Sequence, residues 1–304
     1  MNKAITKEIL KKVRRIEVRT RHMVDDTLAG SYHSVFKGQG MNFDEVREYV
    51  PGDDIRSIDW NVTARTGVPH IKKFTEEREL TIMLMIDISG SGGFGSGEQS
   101  KREMMAELGS VLAFSAVRNN DKVGLILFSD FVELFIPPDK GRRHILRVIR
   151  EILFFQPQGK GTKIDEALDF VNRVAKRKCV TFLLSDFCLP GDFDDALEAM
   201  GPKLRVTGRR HDLIAVSVTD PRELELPDVG RITLEDAESG EQILLNTADP
   251  WTRKAYANLT ADRAERFARS VRSAGIDLLR LSTDTPYLAP LMGFFNSRKR
   301  RLTR

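Results

Sequence analysis

No run in this 304-residue chain approaches the roughly 20 apolar residues that a membrane helix needs. The start, Met1-Asn2-Lys3-Ala4-Ile5-Thr6-Lys7, has no signal-peptide apolar stretch. These absences point to a cytoplasmic protein. The sequence has only two cysteines, Cys179 and Cys188, and they fit neither a metal nor a redox spacing. Both are expected to be reduced thiols filling the core. The five histidines, His22, His33, His70, His144 and His211, are scattered, without H-E-x-x-H spacing. His144 and His211 read as surface or packing residues. A G-x-x-x-x-G-K-[ST] phosphate loop is also missing. Together these gaps leave catalysis with little support, and the chain reads as a non-enzyme.

Hydrophobic residues make up 41% and charged residues 30% of the chain, the balance of an ordinary globular protein. Its net charge of +4 is unevenly spread. Residues 1–21 carry Lys3, Lys7, Lys11, Lys12, Arg14, Arg15, Arg19 and Arg21 against Glu8 and Glu17. The tail Arg298-Lys299-Arg300-Arg301-Leu302-Thr303-Arg304 is almost purely basic. Such ends can meet nucleic acid, anionic lipid or an acidic protein. The plainer reading is a solvated helix face and a frayed terminus. No aromatic interleaving or nucleic-acid fold signature favours the first.

Apolar positions Ile5, Ile9, Leu10, Val13, Ile16, Val18 and Val24 repeat near the helical period, so the chain is expected to open with a helix. Glycines and prolines then punctuate residues 29–79, which excludes long helices there. From residue 80 a strand-then-helix rhythm sets in. Strands are predicted at 80–87, 122–128, 131–136, 179–185, 212–218 and 276–281. Helices are predicted near 100–118, 141–154, 163–176, 192–205 and 251–274. The alternation implies an α/β fold, a doubly wound and mostly parallel sheet with helices on both faces. Residues 220–249 are too long for a standard connection. Within them, Arg231–Glu235 and Gln242–Asn246 flank Glu238-Ser239-Gly240-Glu241 and read as an inserted β-hairpin. The division is therefore a turn-rich N-terminal segment (1–79), an α/β domain (80–296) and a basic tail (297–304).

The predicted strand Leu80–Ile86 breaks into Asp87-Ile88-Ser89-Gly90-Ser91 where a parallel strand should end. Open α/β sheets bind ligands at such carboxyl ends. Asp87, Ser89 and Ser91 are hard oxygen donors suited to Mg²⁺, with Mn²⁺ as an alternative. Thr162, in Gly159-Lys160-Gly161-Thr162, and Asp186, after the run Val180–Leu184, supply matching oxygens from two more loops. Two carboxylates and three hydroxyls leave Mg²⁺ under-neutralised, with room for a carboxylate from a protein partner. Taken singly, the hydroxyls also suit simple helix capping. Gly90-Ser91-Gly92-Gly93-Phe94-Gly95 matches the dinucleotide pattern G-x-G-x-x-G. Asp87 beside a pyrophosphate and the lack of an acid at the usual interval argue against that use. A haloacid-dehalogenase phosphatase would need a second Asp where Ser89 stands.

The set Asp87-x-Ser89-x-Ser91, Thr162 and Asp186 resembles the metal-ion-dependent adhesion site of von Willebrand factor A domains, over residues of about 80 to 290. The resemblance implies that Ser89, Ser91 and Thr162 touch the metal, and that Asp87 and Asp186 bind it directly or through water. Upstream stand Gly38-x-Gly40-x-x-Phe43 and Arg47-Glu48-Tyr49-Val50-Pro51-Gly52-Asp53-Asp54-Ile55-Arg56-Ser57-Ile58-Asp59-Trp60, then Ala64-Arg65. This stretch resembles a bacterial family of unknown function that joins a von Willebrand A-like domain to a P-G-D-x-x-R-x-x-D-W segment. Members are often encoded beside MoxR-type AAA+ ATPases, which implies an adaptor or chaperone-like role with such an ATPase.

Pro51-Gly52 is a turn signal. Asp53, Arg56, Asp59 and Arg65 could hold the irregular segment by charge-assisted bonds, with Trp60 buried as its anchor. Alternatively, Arg56, Trp60 and Arg65 face a partner. Two further functions stay open: a metal-assisted phosphohydrolase using the same site, and a scaffold whose basic ends dock on membrane or nucleic acid.

Overall fold

The computed structural model describes residues 42–75, 79–189 and 191–302. The expected opening helix and Gly38-x-Gly40 lie outside them. The chain divides into two compact units, Phe36–Leu80 and a larger one containing Thr81–Arg304.

In the smaller unit, strands β1 (Asn42–Glu48) and β2 (His70–Thr75) pair antiparallel. Between them lie a 3₁₀ turn (Ile55–Ser57) and helix α1 (Trp60–Thr66). The acidic residues of the P-G-D segment shape this connection. Gly52 has φ +113°, a left-handed conformation that glycine takes without strain. Asp53 accepts two bonds from the Arg47 guanidinium, at 2.9 and 2.7 Å, and one from the Val50 N–H. The Arg47 bonds hold the Asp53 carboxyl below its usual range. Asp54 caps the 3₁₀ turn, and Asp59 caps α1 by accepting from the Asn61 and Val62 N–H groups. Trp60 corrects the expectation of a buried anchor. It is the first residue of α1 and 67% exposed.

The larger unit is built on strands β3 (Thr81–Asp87), β4 (Lys122–Phe128), β5 (Val132–Asp139), β6 (Val180–Ser185), β7 (Asp212–Thr219) and β10 (Asp277–Ser282). They form one sheet in the order β10-β7-β6-β3-β4-β5. All neighbours run parallel except β4 and β5, which pair antiparallel as a hairpin at one edge of the sheet. Counted from β3, this is the doubly wound order 3-2-1-4-5-6, which reverses direction between β3 and β6. The helices of this unit are α2 (Lys101–Arg118), α3 (Arg142–Phe154), α4 (Ile164–Val174), α5 (Phe193–Arg210), the single turn α6 (Pro221–Leu224), α7 (Pro250–Ser273) and α8 (Leu288–Leu302). Strands β8 (Arg231–Glu235) and β9 (Gln242–Asn246) pair as the expected inserted hairpin.

Ile82, Met83, Leu84, Met85 and Ile86 of β3 are all buried because helices cover both faces. Met83 and Met85 join Ile126, Phe128 and Leu183 under residues of α4, α5 and α7 such as Leu168, Leu204 and Phe267. On the opposite face, Gly109 of α2 lies so close to Ile86 that an added Cβ would come within 2.9 Å of its Cδ1. Each fully buried aliphatic side chain here contributes roughly 1.5–3 kcal/mol. Ser100 and Glu103 form a capping box that starts α2, and Asp249 caps α7 ahead of Pro250.

Other expectations change in this unit. Helix α5 runs on to Arg210, through Pro202. Within the basic tail, residues 298–302 are helical and not frayed. Residues Arg298–Arg301 belong to α8, where Arg298 is buried and bonded to the Asp212 carboxylate. Arg298 also pairs with Asp277 at 3.0 Å, and Arg301 pairs with Asp277 at 2.7 Å. Cys179 is core, but Cys188 is exposed. No helix among the described residues is long and apolar enough to cross a membrane.

Candidate functional site

Asp87 ends β3 and Ser185 ends β6, the two strands that flank the reversal of strand order. Backbone amides and side chains around them fix three loops at this edge. The Asp87 carboxylate is buried. It accepts from the Ser89 N–H at 2.9 Å and from the Ser185 hydroxyl at 2.6 Å. Ser89 and Ser91 are also buried, with their hydroxyl oxygens 3.1 Å apart. Three donors thus sit within five residues at one strand end.

The second loop carries Thr162. The Gly90 N–H donates to the Lys160 carbonyl at 2.8 Å, which ties this loop to the serine loop. Glu133 staples it from below, accepting from the Gln158 and Gly159 N–H groups and the Ser129 hydroxyl. A Cβ at Gly161 would lie 2.2 Å from an Asp130 carboxylate oxygen, so a side chain there would push the Asp130 carboxylate aside. Thr162 is buried and its hydroxyl donates to Glu238 Oε1 at 2.7 Å.

The third loop carries Asp186. Its Oδ1 accepts from the Cys188 N–H, and its Oδ2 lies 2.6 Å from Lys101 Nζ. The next residue, Phe187, has φ +55°, rare for an aromatic side chain. Its N–H donates to Ser185 Oγ, and its ring stacks at 4.3 Å from that of Phe267. Packing therefore holds a strained turn beside Asp186. The structure thus brings Asp87, Ser89 and Ser91 together, joins the Thr162 loop to them, and sets Asp186 close enough to Asp87 to raise its pKa. Arg56, Trp60 and Arg65 belong to the smaller unit, where all three are exposed.

A family described as "Protein of unknown function DUF58" matches residues 45–266. The chain belongs to the DUF58 family. It is 33% identical over 290 residues to the uncharacterized protein Rv1480 of Mycobacterium tuberculosis, covering 95% of this chain and 89% of that one. A shorter uncharacterized protein of Mycobacterium avium, MAV169, is 32% identical over 167 residues, 54% of this chain and 94% of that one. Among solved structures, the aerotolerance-related membrane protein from Bacteroides fragilis superposes with a TM-score of 0.47 at 16% identity, over 73% of this chain and 99% of that one. The SpRpn10 VWA domain gives 0.40 at 12% identity, over 71% and 94%.

The DUF58 chain adds residues to this site that sequence reasoning missed. Lys101, the first residue of α2, is fully buried and pairs with Glu223 at 2.5 Å as well as with Asp186. Burial alone would lower its pKa, but the Asp186 and Glu223 charges outweigh it and raise it. Burial, and next the Asp186 charge, push the Asp87 carboxyl up to about 7, against the bonds from Ser185 and Ser89. Glu223 and Glu238 are likewise raised by burial, and both feel the Asp186 charge. Asp87, Glu223 and Glu238 thus all feel the charge of Asp186, and Lys101 pairs with two of these four carboxylates. No three His, Cys, Asp or Glu side chains among the described residues converge tightly enough to hold a metal ion alone. A cation here would rely on the Ser89, Ser91 and Thr162 hydroxyls as well as on Asp87. That all-oxygen donor set fits Mg²⁺ or Mn²⁺.

Proposed function

We propose that this DUF58 protein is a metal-dependent protein-binding module of the von Willebrand A kind, and not an enzyme. In this reading a Mg²⁺ (or Mn²⁺) held by Asp87, Ser89, Ser91 and Thr162, with Asp186 beside it, captures an acidic side chain of a partner. One observation carries the reading. Asp87, Ser89 and Ser91 present buried oxygens at a strand end, at the reversal of strand order, with a second carboxylate, Asp186, alongside. Divalent cations match that excess of oxygen and negative charge. Mg²⁺ commonly completes its shell with ligands from a bound molecule. Asp87 and Asp186 would supply charge, and the three hydroxyls would set position without neutralising the ion. The proposal gives Ser89 no nucleophilic role.

The partner in this proposal is a MoxR-type AAA+ ATPase or a client of one, with this chain as adaptor. The exposed Arg56, Trp60 and Arg65 would add a second contact. Affinity purification of the full chain in Mg²⁺ and in chelator, with mass spectrometry of what is retained, tests it. An ATPase or client retained only in Mg²⁺, and lost from Asp87→Ala, is expected. Equal retention in chelator would refute the reading.

A further inference from the structure

The turn of the β8–β9 hairpin reaches over the candidate site, and it is a stiff turn. Asp236 Oδ1 accepts from the Glu238 and Ser239 N–H groups at 2.8 and 2.7 Å. The Gly240 N–H returns to the Asp236 carbonyl, and Gly240 takes φ +75°. This geometry aims Glu238 outward. Its Oε1 accepts from the Thr162 hydroxyl at 2.7 Å, and its carboxylate feels the charge of Asp186. The neighbouring Ala237 carbonyl seats on Gly90, where a Cβ would meet it at 2.8 Å.

The hairpin between tip and base is thinly held. Most side chains of β8 and β9 are exposed, Ile243 and Leu244 by 60% and 68%. An isolated two-stranded hairpin is marginal in water. Its base is fixed instead. Thr247 is buried, donates to the Gly230 carbonyl and accepts from the Val229 N–H, while Arg253 binds the Thr247 carbonyl and pairs with Asp228. Gly230, at φ +83°, marks the point where the hairpin leaves the body. A firm base, a weak stem and a carboxylate at the tip describe an arm that can lift.

We infer that Glu238 is the site's own acidic ligand. It occupies, in cis, the position that an acidic side chain of a partner would take, so a partner must displace the hairpin to bind. The inference rests on the cation-site reading above and adds to it the source of the competing carboxylate. It follows that the partner's acidic segment competes with an intramolecular group, which sets a threshold on its affinity.

The test uses the full chain and two variants, Glu238→Ala and Asp87→Ala, with Mn²⁺ as the probe. Hydrogen exchange of residues 236–241, measured without metal, reports whether the turn is closed. Water-proton relaxation during Mn²⁺ titration reports both binding and the number of exchangeable waters on the bound ion. The expected result is slow exchange at 236–241 in the wild type and faster exchange in Glu238→Ala. Mn²⁺ should bind both, with one more exchangeable water in Glu238→Ala, and should not bind Asp87→Ala. Mn²⁺ binding that depends on Asp87, with exchange and hydration unchanged by Glu238→Ala, would overturn the inference and leave the metal site standing. Absence of Mn²⁺ binding in both the wild type and Glu238→Ala would overturn the metal site and the inference with it.

Discussion

The Lys101 ammonium lies 2.6 Å from the Asp186 carboxylate, with both side chains buried at the edge where the candidate cation site forms. The pair ties the start of α2 to the loop after β6. It also supplies part of the positive charge that the surrounding carboxylates need. Removing one member of such a buried pair strands the other. Lys101→Ala is therefore expected to cost about 3–5 kcal/mol. Mg²⁺ should restore part of that loss by supplying the missing charge. Chemical denaturation of the variant with and without Mg²⁺ checks both statements.

Asp220 offers a pH test away from the candidate ligands. It is buried and accepts from the Ser96 hydroxyl and N–H, the Thr283 hydroxyl and the Arg222 N–H. Burial raises its pKa, but these bonds outweigh burial and bring it from 3.8 to about 2. A carboxyl with a depressed folded pKa stabilises fully above its unfolded value and loses that contribution as pH falls towards its folded one. The contribution at pH 7 is about 2 kcal/mol. Asp220→Asn should be less stable than wild type by roughly that amount at pH 7. The gap should shrink as pH falls from 4 towards 2. Urea denaturation of both proteins across that range reads it directly.

Gly90 probes the seating of the hairpin. A methyl group there would meet the Ala237 carbonyl at 2.8 Å and the Lys160 carbonyl at 3.3 Å. Both are backbone atoms, so the turn has to shift. Gly90→Ala is expected to destabilise the protein by about 1–3 kcal/mol and to expose residues 236–241 to proteolysis. Limited proteolysis followed by mass spectrometry locates the first cut.

The sheet was legible because β3 and β6 are largely apolar, as strands covered on both faces tend to be. Asp87 was legible for the same reason, since it breaks the run where the strand ends. Helix α8 was not among the predicted helices, and it contains Pro290 and Gly293. Pro290 is the third residue of the helix, where its missing N–H would have had no partner in the helix. The basic residues of that helix looked like a tail because Asp212 and Asp277, which hold Arg298, lie far away in sequence. Lys101 and Glu238 escaped detection similarly. Glu238 was read as a turn residue, and that is its local role. No local pattern indicates that the turn docks on Thr162, 76 residues away. Trp60 misled in the opposite direction, because its size suggested burial and its place at the start of α1 leaves it exposed.

Titration calorimetry of the full chain with Mg²⁺, beside Asp87→Ala and Ser89→Ala, tests the central claim most directly. The account predicts one Mg²⁺ per chain in the wild type, loss of binding in Asp87→Ala and weaker binding in Ser89→Ala. Failure of the wild type to bind, or equal binding by Asp87→Ala, would contradict it.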